Sequence, residues 1–211
     1  MKIAALTKQS YIDWEGQTTA VIFTQGCNFR CGYCHNPSLV LPHIYQNQPL
    51  IDEQEVFDYL KSRVEWLDGV VISGGEPTLQ PDLLDFVRKV KSLGFRVKLD
   101  TNGSNPQVLK ALIDAELLDY VAMDIKTLLT RDNYRKITGL KNSDVITLIK
   151  QSLALLRQEN LEYQLRTTII PNHHNDYIIN KLKIQFANDN YVIQQYREAE
   201  TVADLSQLEN V

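Results

Sequence analysis

The sequence contains only three cysteines among its 211 residues, and all three lie within eight consecutive positions, at Cys27, Cys31 and Cys34. Three cysteines cannot all pair within one chain, and their crowding is unlike the spacing of a disulfide framework. We therefore predict a protein of a reducing compartment whose cysteines bind a metal ion or a cluster.

Other absences exclude whole classes of partner. The 22 basic and 26 acidic residues are interleaved and give a net charge of -4, so no basic patch predicts binding to nucleic acid or to an anionic membrane. No apolar run approaches the ~20 residues that span a bilayer, and the N-terminus lacks the layout of a secretory signal. We expect a cytoplasmic protein with neither a nucleic acid nor a membrane partner.

Apolar segments rich in β-formers alternate with amphipathic helical segments along the chain. With 44% hydrophobic residues and a mass of 24.2 kDa, the chain has enough apolar surface for one sizeable core. Alternation of this kind predicts parallel strands joined by right-handed crossovers, as in an α/β barrel or a doubly wound sheet. We predict one domain over residues 1–198 and an acidic tail over 199–211. The predicted strands are residues 19–24, 69–73, 95–100, 119–124, 162–170 and 190–196.

Four unusual motifs follow the first four predicted strands. The cysteine segment follows the first strand, SGGEPT (73–78) follows the second, DTNG (100–103) closes the third and DIK (124–126) closes the fourth. In parallel α/β folds the working residues collect where strands end and helices begin. We therefore predict that the four motifs meet in one site at one rim of the sheet.

The cysteine spacing favours an iron-sulfur cluster over zinc. Three thiolates can hold three irons of a 4Fe-4S cluster and leave one iron open to a substrate. A structural zinc site takes four tetrahedral ligands; His35 is available as the fourth, but it is adjacent to Cys34 and would strain that geometry. Spacing alone leaves zinc and incidental thiols open as alternatives.

The other motifs contain groups suited to a polar ligand. Gly74 and Gly75 allow a close approach of backbone to a ligand, and Glu76 offers an acceptor for an amino group. Arg166 lies within an apolar strand, where a charge is costly unless it is paired, so we expect it to face the ligand. Each motif also has a purely structural interpretation. The glycines could form only a tight turn, Asp124 and Lys126 could form a surface ion pair, and Arg166 could lie on an exposed strand face.

Two of these motifs match a known superfamily. The CxxxCxxC pattern, with Tyr33 before the last cysteine, and the GGEP sequence of residues 74–77 both resemble the signatures of radical S-adenosylmethionine (SAM) enzymes. The resemblance implies that the three cysteines hold a 4Fe-4S cluster and that the amino and carboxylate groups of SAM occupy its open iron. The cofactor contacts predicted with it are Tyr33, His35, Gly74, Gly75, Glu76, Asn102, Asp124, Lys126 and Arg166.

The resemblance also implies finer roles for the strand-end residues. In such enzymes the residues matching Asp124 and Lys126 contact the ribose and carboxylate of SAM, and an arginine placed like Arg166 lies beside it. Asp100 and Thr101 resemble a DTN segment that joins the later aspartate, here Asp124, around a monovalent cation. We predict this cation site together with the SAM contacts.

The flanks of the motifs resemble one branch of the superfamily. FTQGCN, CHNP, DTNG and DIK are similar to the activating enzymes of glycyl radical proteins, and nearly the whole chain resembles activating proteins of anaerobic ribonucleoside-triphosphate reductase. The implied fold is a partial (β/α)6 TIM-like barrel, open on one side. The implied reaction uses one electron from flavodoxin or ferredoxin to cleave SAM into methionine and a 5'-deoxyadenosyl radical, which takes a hydrogen from the Cα of a glycine in a partner enzyme.

Three other functions stay open. One is the activation of pyruvate formate-lyase, and another is a small-molecule radical SAM reaction resembling that of 7-carboxy-7-deazaguanine synthase. His35 and Asn36, after the last cysteine, favour an activase over the latter. The third is an iron-sulfur carrier or zinc-stabilised binding protein, for which SAM would not change the spectrum of the bound metal.

Overall fold

A computed structural model describes residues 1–140, 144–158, 160–171, 173–197 and 201–203. Seven strands form one sheet whose order in space follows their order in the chain. They are β1 (Ile3–Ser10), β2 (Thr19–Thr24), β3 (Gly69–Gly74), β4 (Arg96–Thr101), β5 (Tyr120–Asp124), β6 (Glu162–Ile169) and β7 (Tyr191–Gln195). Strands β2 to β7 are parallel to one another.

Helices connect the parallel strands. In the described residues they are α1 (Pro37–Val40), α2 (Pro42–Tyr45), α3 (Glu53–Lys61), α4 (Leu83–Ser92), α5 (Pro106–Asp114), α6 (Arg131–Thr138), α7 (Val145–Gln158) and α8 (Asp176–Gln185). A short 3-10 turn, Pro77–Leu79, follows β3. The sheet does not close, since β1 and β7 stand at its two ends. The predicted α/β class and the open partial barrel are therefore confirmed.

Strand β1 was absent from the sequence prediction of six strands. It pairs with β2 in the antiparallel sense, with register shifts at two places. Only Ile3 and Ser10, at its two ends, are buried, because one strand at the edge of a sheet packs on few neighbours. Its middle, LTKQ, therefore lacks the apolar signal by which the other six strands were predicted.

The core lies between the sheet and its helices. In β2 and β3, the first four residues of each strand are fully covered, as expected where helices cover a parallel sheet. The helices contribute one apolar face each; that of α4 consists of Leu83, Phe86, Val87 and Val90. This packing fixes the strand ends that carry the four motifs.

The polar stretch between β5 and α7 contains helix α6, which has no strong apolar signal in the sequence. The Thr130 side chain accepts a hydrogen bond from the Asn133 backbone, and Gly139 ends the helix with φ of +66°, which glycine adopts readily. Tyr134 and Ile137 are the buried apolar residues of this helix. Tyr134 thus belongs to the interior of the protein.

The predicted tail, residues 199–211, lies outside the described residues except for 201–203. There the Val202 and Ala203 backbone N–H groups donate to the carbonyls of Cys34 and Gly32, at 3.1 and 2.9 Å. None of the described helices is long and apolar enough to cross a membrane.

Candidate active site

A cavity of about 610 Å³ opens at the carboxyl ends of the parallel strands. All four motifs contribute to its wall, so the structure brings together what the sequence separates by a hundred residues and more. Every residue predicted as a ligand or contact lies on it: Cys27, Cys31, Tyr33, Cys34, His35, Gly74, Gly75, Glu76, Asp100, Thr101, Asn102, Asp124, Lys126 and Arg166.

The cysteine loop runs from the end of β2 into α1. Cys27 and Cys34 are half-buried and Cys31 is buried, and all three are free thiols. Burial raises the pKa of Cys27 to about 11 and that of Cys31 to about 12. Both are therefore thiols at neutral pH in the protein without metal, and binding of iron by the thiolates releases protons.

Gly74 and Gly75 hold this loop against the end of β3. Gly74 has φ of +118°, and a Cβ on it would lie 2.3 Å from the Thr24 backbone nitrogen; a Cβ on Gly75 would lie 2.1 Å from the carbonyl oxygen of Gly26. The Gly75 and Glu76 N–H groups donate to the carbonyls of Thr24 and Gly26. The two glycines thus permit a close backbone contact that places the residue before Cys27.

Glu76 is a buried acceptor that ties β3 to the end of β4. One carboxylate oxygen accepts hydrogen bonds from Thr78 and from the Thr101 hydroxyl at 2.7 Å; the other accepts the Asn102 backbone N–H at 2.7 Å. Burial raises the pKa of Glu76 against the opposing effect of these bonds. Its carboxylate reaches the cavity wall, where it offers an acceptor to a ligand amino group.

Asp124 links two cations at the end of β5. It accepts from Lys126 Nζ and from Arg166 Nε, each at 2.9 Å. Burial alone would raise the pKa of Asp124, but Arg166 and Lys126 outweigh that effect and lower it to about 2. Despite burial, Asp124 keeps the pKa of Lys126 above its usual value, and Asp100 together with Asp124 does the same for Arg166. All three side chains are charged at neutral pH and face the cavity.

Asp100 and Thr101, two of the predicted ligands of a monovalent cation, contact other side chains in this structure. Asp100 lies 3.4 Å from Arg166 and 3.5 Å from Lys98, and the Thr101 hydroxyl donates to Glu76. Arg166 thus stands between Asp100 and Asp124. Both distances are to oxygen Oδ1 of Asp100, which is buried without a hydrogen bond among the described residues but faces these two cations.

Tyr33, His35 and Asn102 frame the cavity. Lys126 Nζ lies 5.9 Å from the Tyr33 ring centre, a distance typical of a cation–π contact. The His35 ring lies 5.1 Å from that of Tyr196, which joins the cysteine loop to the end of β7. The Asn102 side chain donates to Asn28, at 2.9 Å.

Sequence reading missed residues that hold the loop carrying Lys126. The His174 ring accepts from the Ile170 N–H and lies 3.0 Å from the Lys126 carbonyl, while the Tyr134 hydroxyl accepts the Lys126 N–H at 3.1 Å. His174 follows β6 in a polar segment, yet only 7% of its surface is exposed. Lys98 is a buried cation 3.5 Å from Asp100. It belongs to none of the four motifs, so no sequence pattern indicates that it lies near the site.

The donor set fits a 4Fe-4S cluster and SAM. Each of three thiolates would bind a different iron, so the cysteines need not converge on one point. A zinc site does require such convergence, and the described Cys, His, Asp and Glu side chains contain no group of three that could hold a metal ion. Beside the cysteines, the cavity offers cations for a carboxylate at Lys126 and Arg166, and acceptors for an amino group at Glu76 and Asp100.

Known proteins share this sequence pattern. Residues 21–183 match the radical SAM superfamily. A Methanocaldococcus jannaschii protein named as a glycyl-radical enzyme activating enzyme is 34% identical over 92% of this chain and 79% of its own length. The pyruvate formate-lyase-activating enzyme of Listeria monocytogenes is 30% identical over 74% of this chain and 64% of its own length. The chain thus spans less than two thirds of the Listeria protein.

Solved structures share the fold. Streptococcus suis SuiB bound to S-adenosylmethionine superposes with a TM-score of 0.63 at 15% identity, over 90% of this chain and 47% of SuiB. TYW1 with a lysine-pyruvate adduct gives 0.62 at 18%, over 86% of this chain and 65% of that one. The chain belongs to the radical SAM superfamily, among the glycyl-radical enzyme activating enzymes. It is accordingly an enzyme whose cofactors are a 4Fe-4S cluster and SAM.

Proposed function

We propose that this protein generates a glycyl radical on anaerobic ribonucleoside-triphosphate reductase. The observation that carries the proposal is the single cavity in which three free cysteines meet the strand-end groups of β3 to β6. When bound, the cluster and SAM supply a one-electron cleavage that produces the hydrogen-abstracting radical, with the electron coming from flavodoxin or ferredoxin. The choice of reductase rests on the resemblance of the chain, motifs and flanks together, to that group of activases.

The residues of the chain then have distinct tasks. Cys27, Cys31 and Cys34, which line the cavity, would hold the cluster. Lys126 and Arg166 present positive charge to the carboxylate of SAM, because Asp124 fixes both at 2.9 Å.

The remaining groups of the cavity position the ligand and limit water. Glu76 accepts from the amino group of SAM, and its bonds to Thr78, Thr101 and Asn102 hold it in place beforehand. Phe29 and Val40 line the cavity with apolar surface, which reduces access of water to a reactive intermediate. Prior fixing of these groups lowers the cost of orienting the ligand.

Activation of pyruvate formate-lyase is the second candidate. It is favoured by the Listeria relative, which carries that name and is 30% identical to this chain. The site residues act alike in both cases, so the candidates differ only in the protein that enters the open side of the barrel.

The deciding experiment has two stages. Electron paramagnetic resonance of the anaerobically reconstituted, dithionite-reduced protein should show a reduced 4Fe-4S signal that changes when SAM is added. The protein is then mixed with each of the two partner enzymes, and the glycyl radical doublet is sought. A doublet on the reductase alone supports the first candidate, a doublet on pyruvate formate-lyase alone replaces it with the second, and a cluster signal indifferent to SAM refutes both.

A further inference from the structure

Strand β7 has one bonded edge and one free edge in the described part of the chain. It pairs with β6 in parallel register, from Leu165 opposite Tyr191 to Ile169 opposite Gln195. The Leu165 N–H donates to the Asn190 carbonyl at 2.8 Å. Because backbone groups of a parallel strand alternate in direction, Val192 and Gln194 bond towards β6. The N–H and C=O groups of Tyr191, Ile193 and Gln195 therefore point away from the sheet.

The free edge of β7 lacks the devices that prevent strand pairing. Such edges are ordinarily blocked by charged residues, proline or bulges. The opposite edge strand, β1, has Lys8, register shifts at two places, and a bond from the Ile51 N–H to the Ile3 carbonyl at 2.8 Å. The sequence of β7, YVIQQ, has no charge and no proline, and its pairing with β6 has no register shift. Among the residues that the structure describes, none pairs with this edge, which could therefore accept another extended chain.

The edge leads into the cavity. Gln194 and Gln195, the last residues of β7, line the cavity together with the cysteines, as do Thr168 on β6 and Arg197 just beyond β7. Val192 and Gln194 are also exposed to solvent. A chain paired along β7 would therefore be guided by its backbone to the place where the radical forms.

We propose that β7 binds the glycine-bearing segment of the protein substrate by strand addition. Backbone hydrogen bonds to Tyr191, Ile193 and Gln195 would supply the affinity, and the uncharged strand would accept segments of varied sequence. The occupant is an extended peptide of the partner, because the edge ends at the cavity of an enzyme that we propose acts on a protein glycine. This inference rests on the proposed function and assigns the surface by which the substrate is presented.

Proline substitution tests the outward N–H directly. Ile193→Pro removes that donor but leaves the bonds of Val192 and Gln194 to β6, whereas the control Ile193→Val keeps the N–H and the branched side chain. With anaerobic ribonucleoside-triphosphate reductase as the probe, we expect the KM of Ile193→Pro for the reductase to rise about five- to tenfold, the value of one or two lost hydrogen bonds. Ile193→Val should stay near wild type. An unchanged KM in Ile193→Pro, or an equal rise in both variants, would overturn the proposal.

Residue-resolved hydrogen exchange of the unmodified, cluster-loaded protein gives an independent test if Ile193→Pro folds poorly. With SAM present, saturating reductase should slow exchange at the amides of Tyr191, Ile193 and Gln195 by about tenfold or more. If these amides instead slow as the concentration of the activase rises alone, the occupant is a second copy of this chain and the proposal is wrong.

The two ideas fail in different ways. A glycyl radical formed on the reductase without protection of the β7 amides refutes strand addition and leaves the proposed function intact. If the reductase gains no radical but pyruvate formate-lyase does, the proposed partner is wrong, and the exchange measurement is made with pyruvate formate-lyase in its place.

Discussion

The cysteine loop, with Cys27, Cys31 and Cys34, and the strand-end network, formed by Asp124, Lys126 and Arg166, line the same cavity. The two regions differ in the contacts that their side chains make. Cys27, Cys31 and Cys34 are free thiols, and we propose that they hold the cluster. Lys126 and Arg166 each donate a hydrogen bond to Asp124, at 2.9 Å. Lys126 and Arg166 are thus held in place by a residue of the chain itself. The groups that we propose contact SAM differ from those that we propose hold the cluster, so substitutions in the two regions should separate loss of iron from loss of SAM.

The largest effect is expected in the cysteine loop. Cys31→Ala removes one of three thiolates, and a cluster held by two cysteines lacks a ligand for a further iron. We expect iron content and SAM cleavage to be lost together, while the apoprotein keeps its far-UV circular dichroism. Iron analysis after anaerobic reconstitution checks this. An active, cluster-loaded Cys31→Ala protein would remove the distinction between the two regions.

Gly75→Ala should displace the cysteine loop, although Gly75 itself lies outside the loop, directly after β3. The new Cβ would lie 2.1 Å from the Gly26 carbonyl oxygen, so the backbone before Cys27 must move, at a cost of about 2 kcal/mol or more. We expect reduced iron content and a lower melting temperature. The matched control is Gly32→Ala, within the loop itself, whose Cβ would meet Ala203 at an ordinary 3.5 Å. Equal iron contents in the two variants would mean that the glycine contact does not position the loop.

Lys126→Ala should weaken SAM binding and spare the cluster. The substitution removes a charge fixed by Asp124, and loss of a charged hydrogen bond corresponds to about 10- to 100-fold in affinity. Titration of SAM into the cluster-loaded protein, followed by electron paramagnetic resonance, measures the change. Loss of iron instead would assign Lys126 to the cysteine loop, whose thiols at Cys27 and Cys31 it also influences electrostatically.

Glu76→Gln should have a smaller effect, on stability and SAM affinity together. The amide can replace one oxygen as an acceptor, but its NH2 group then faces a backbone donor, either the Asn102 N–H or the Thr78 N–H. An unsatisfied buried donor costs about 1–3 kcal/mol. Thermal unfolding of the apoprotein should show the loss, and Thr101→Val, which removes one donor, should show less. A Glu76→Gln protein as stable as wild type would indicate that the carboxyl is protonated in the native state.

The sequence predicted the buried strands and the site residues at their ends, but not the polar elements around them. Strands β2 to β7 were predicted to within about two residues, because buried parallel strands form unbroken apolar runs. All the predicted site residues line the cavity because their motifs follow those strands. β1 was missed because it is mostly polar, and α6 because its two buried apolar residues, Tyr134 and Ile137, lie in a polar segment. His174 was missed because its partner, the Lys126 carbonyl, lies 48 residues away and leaves no pattern around the histidine.

The smallest effect concerns this histidine, which supports the strand-end network from outside. Burial lowers the pKa of His174 in the folded protein, and its unfolded value is about 6.5. As pH falls below that value, the unfolded chain binds a proton that the folded chain does not, so stability decreases by at most ~1.4 kcal/mol per pH unit. Denaturant unfolding of the apoprotein between pH 7.5 and pH 5.5 checks the slope. His174→Gln should reduce the slope more than His173→Gln, because burial is the larger cause of the lowered pKa and the charge of His173 is a smaller one. Equal slopes in all three proteins would mean that His174 does not couple protonation to the loop that carries Lys126.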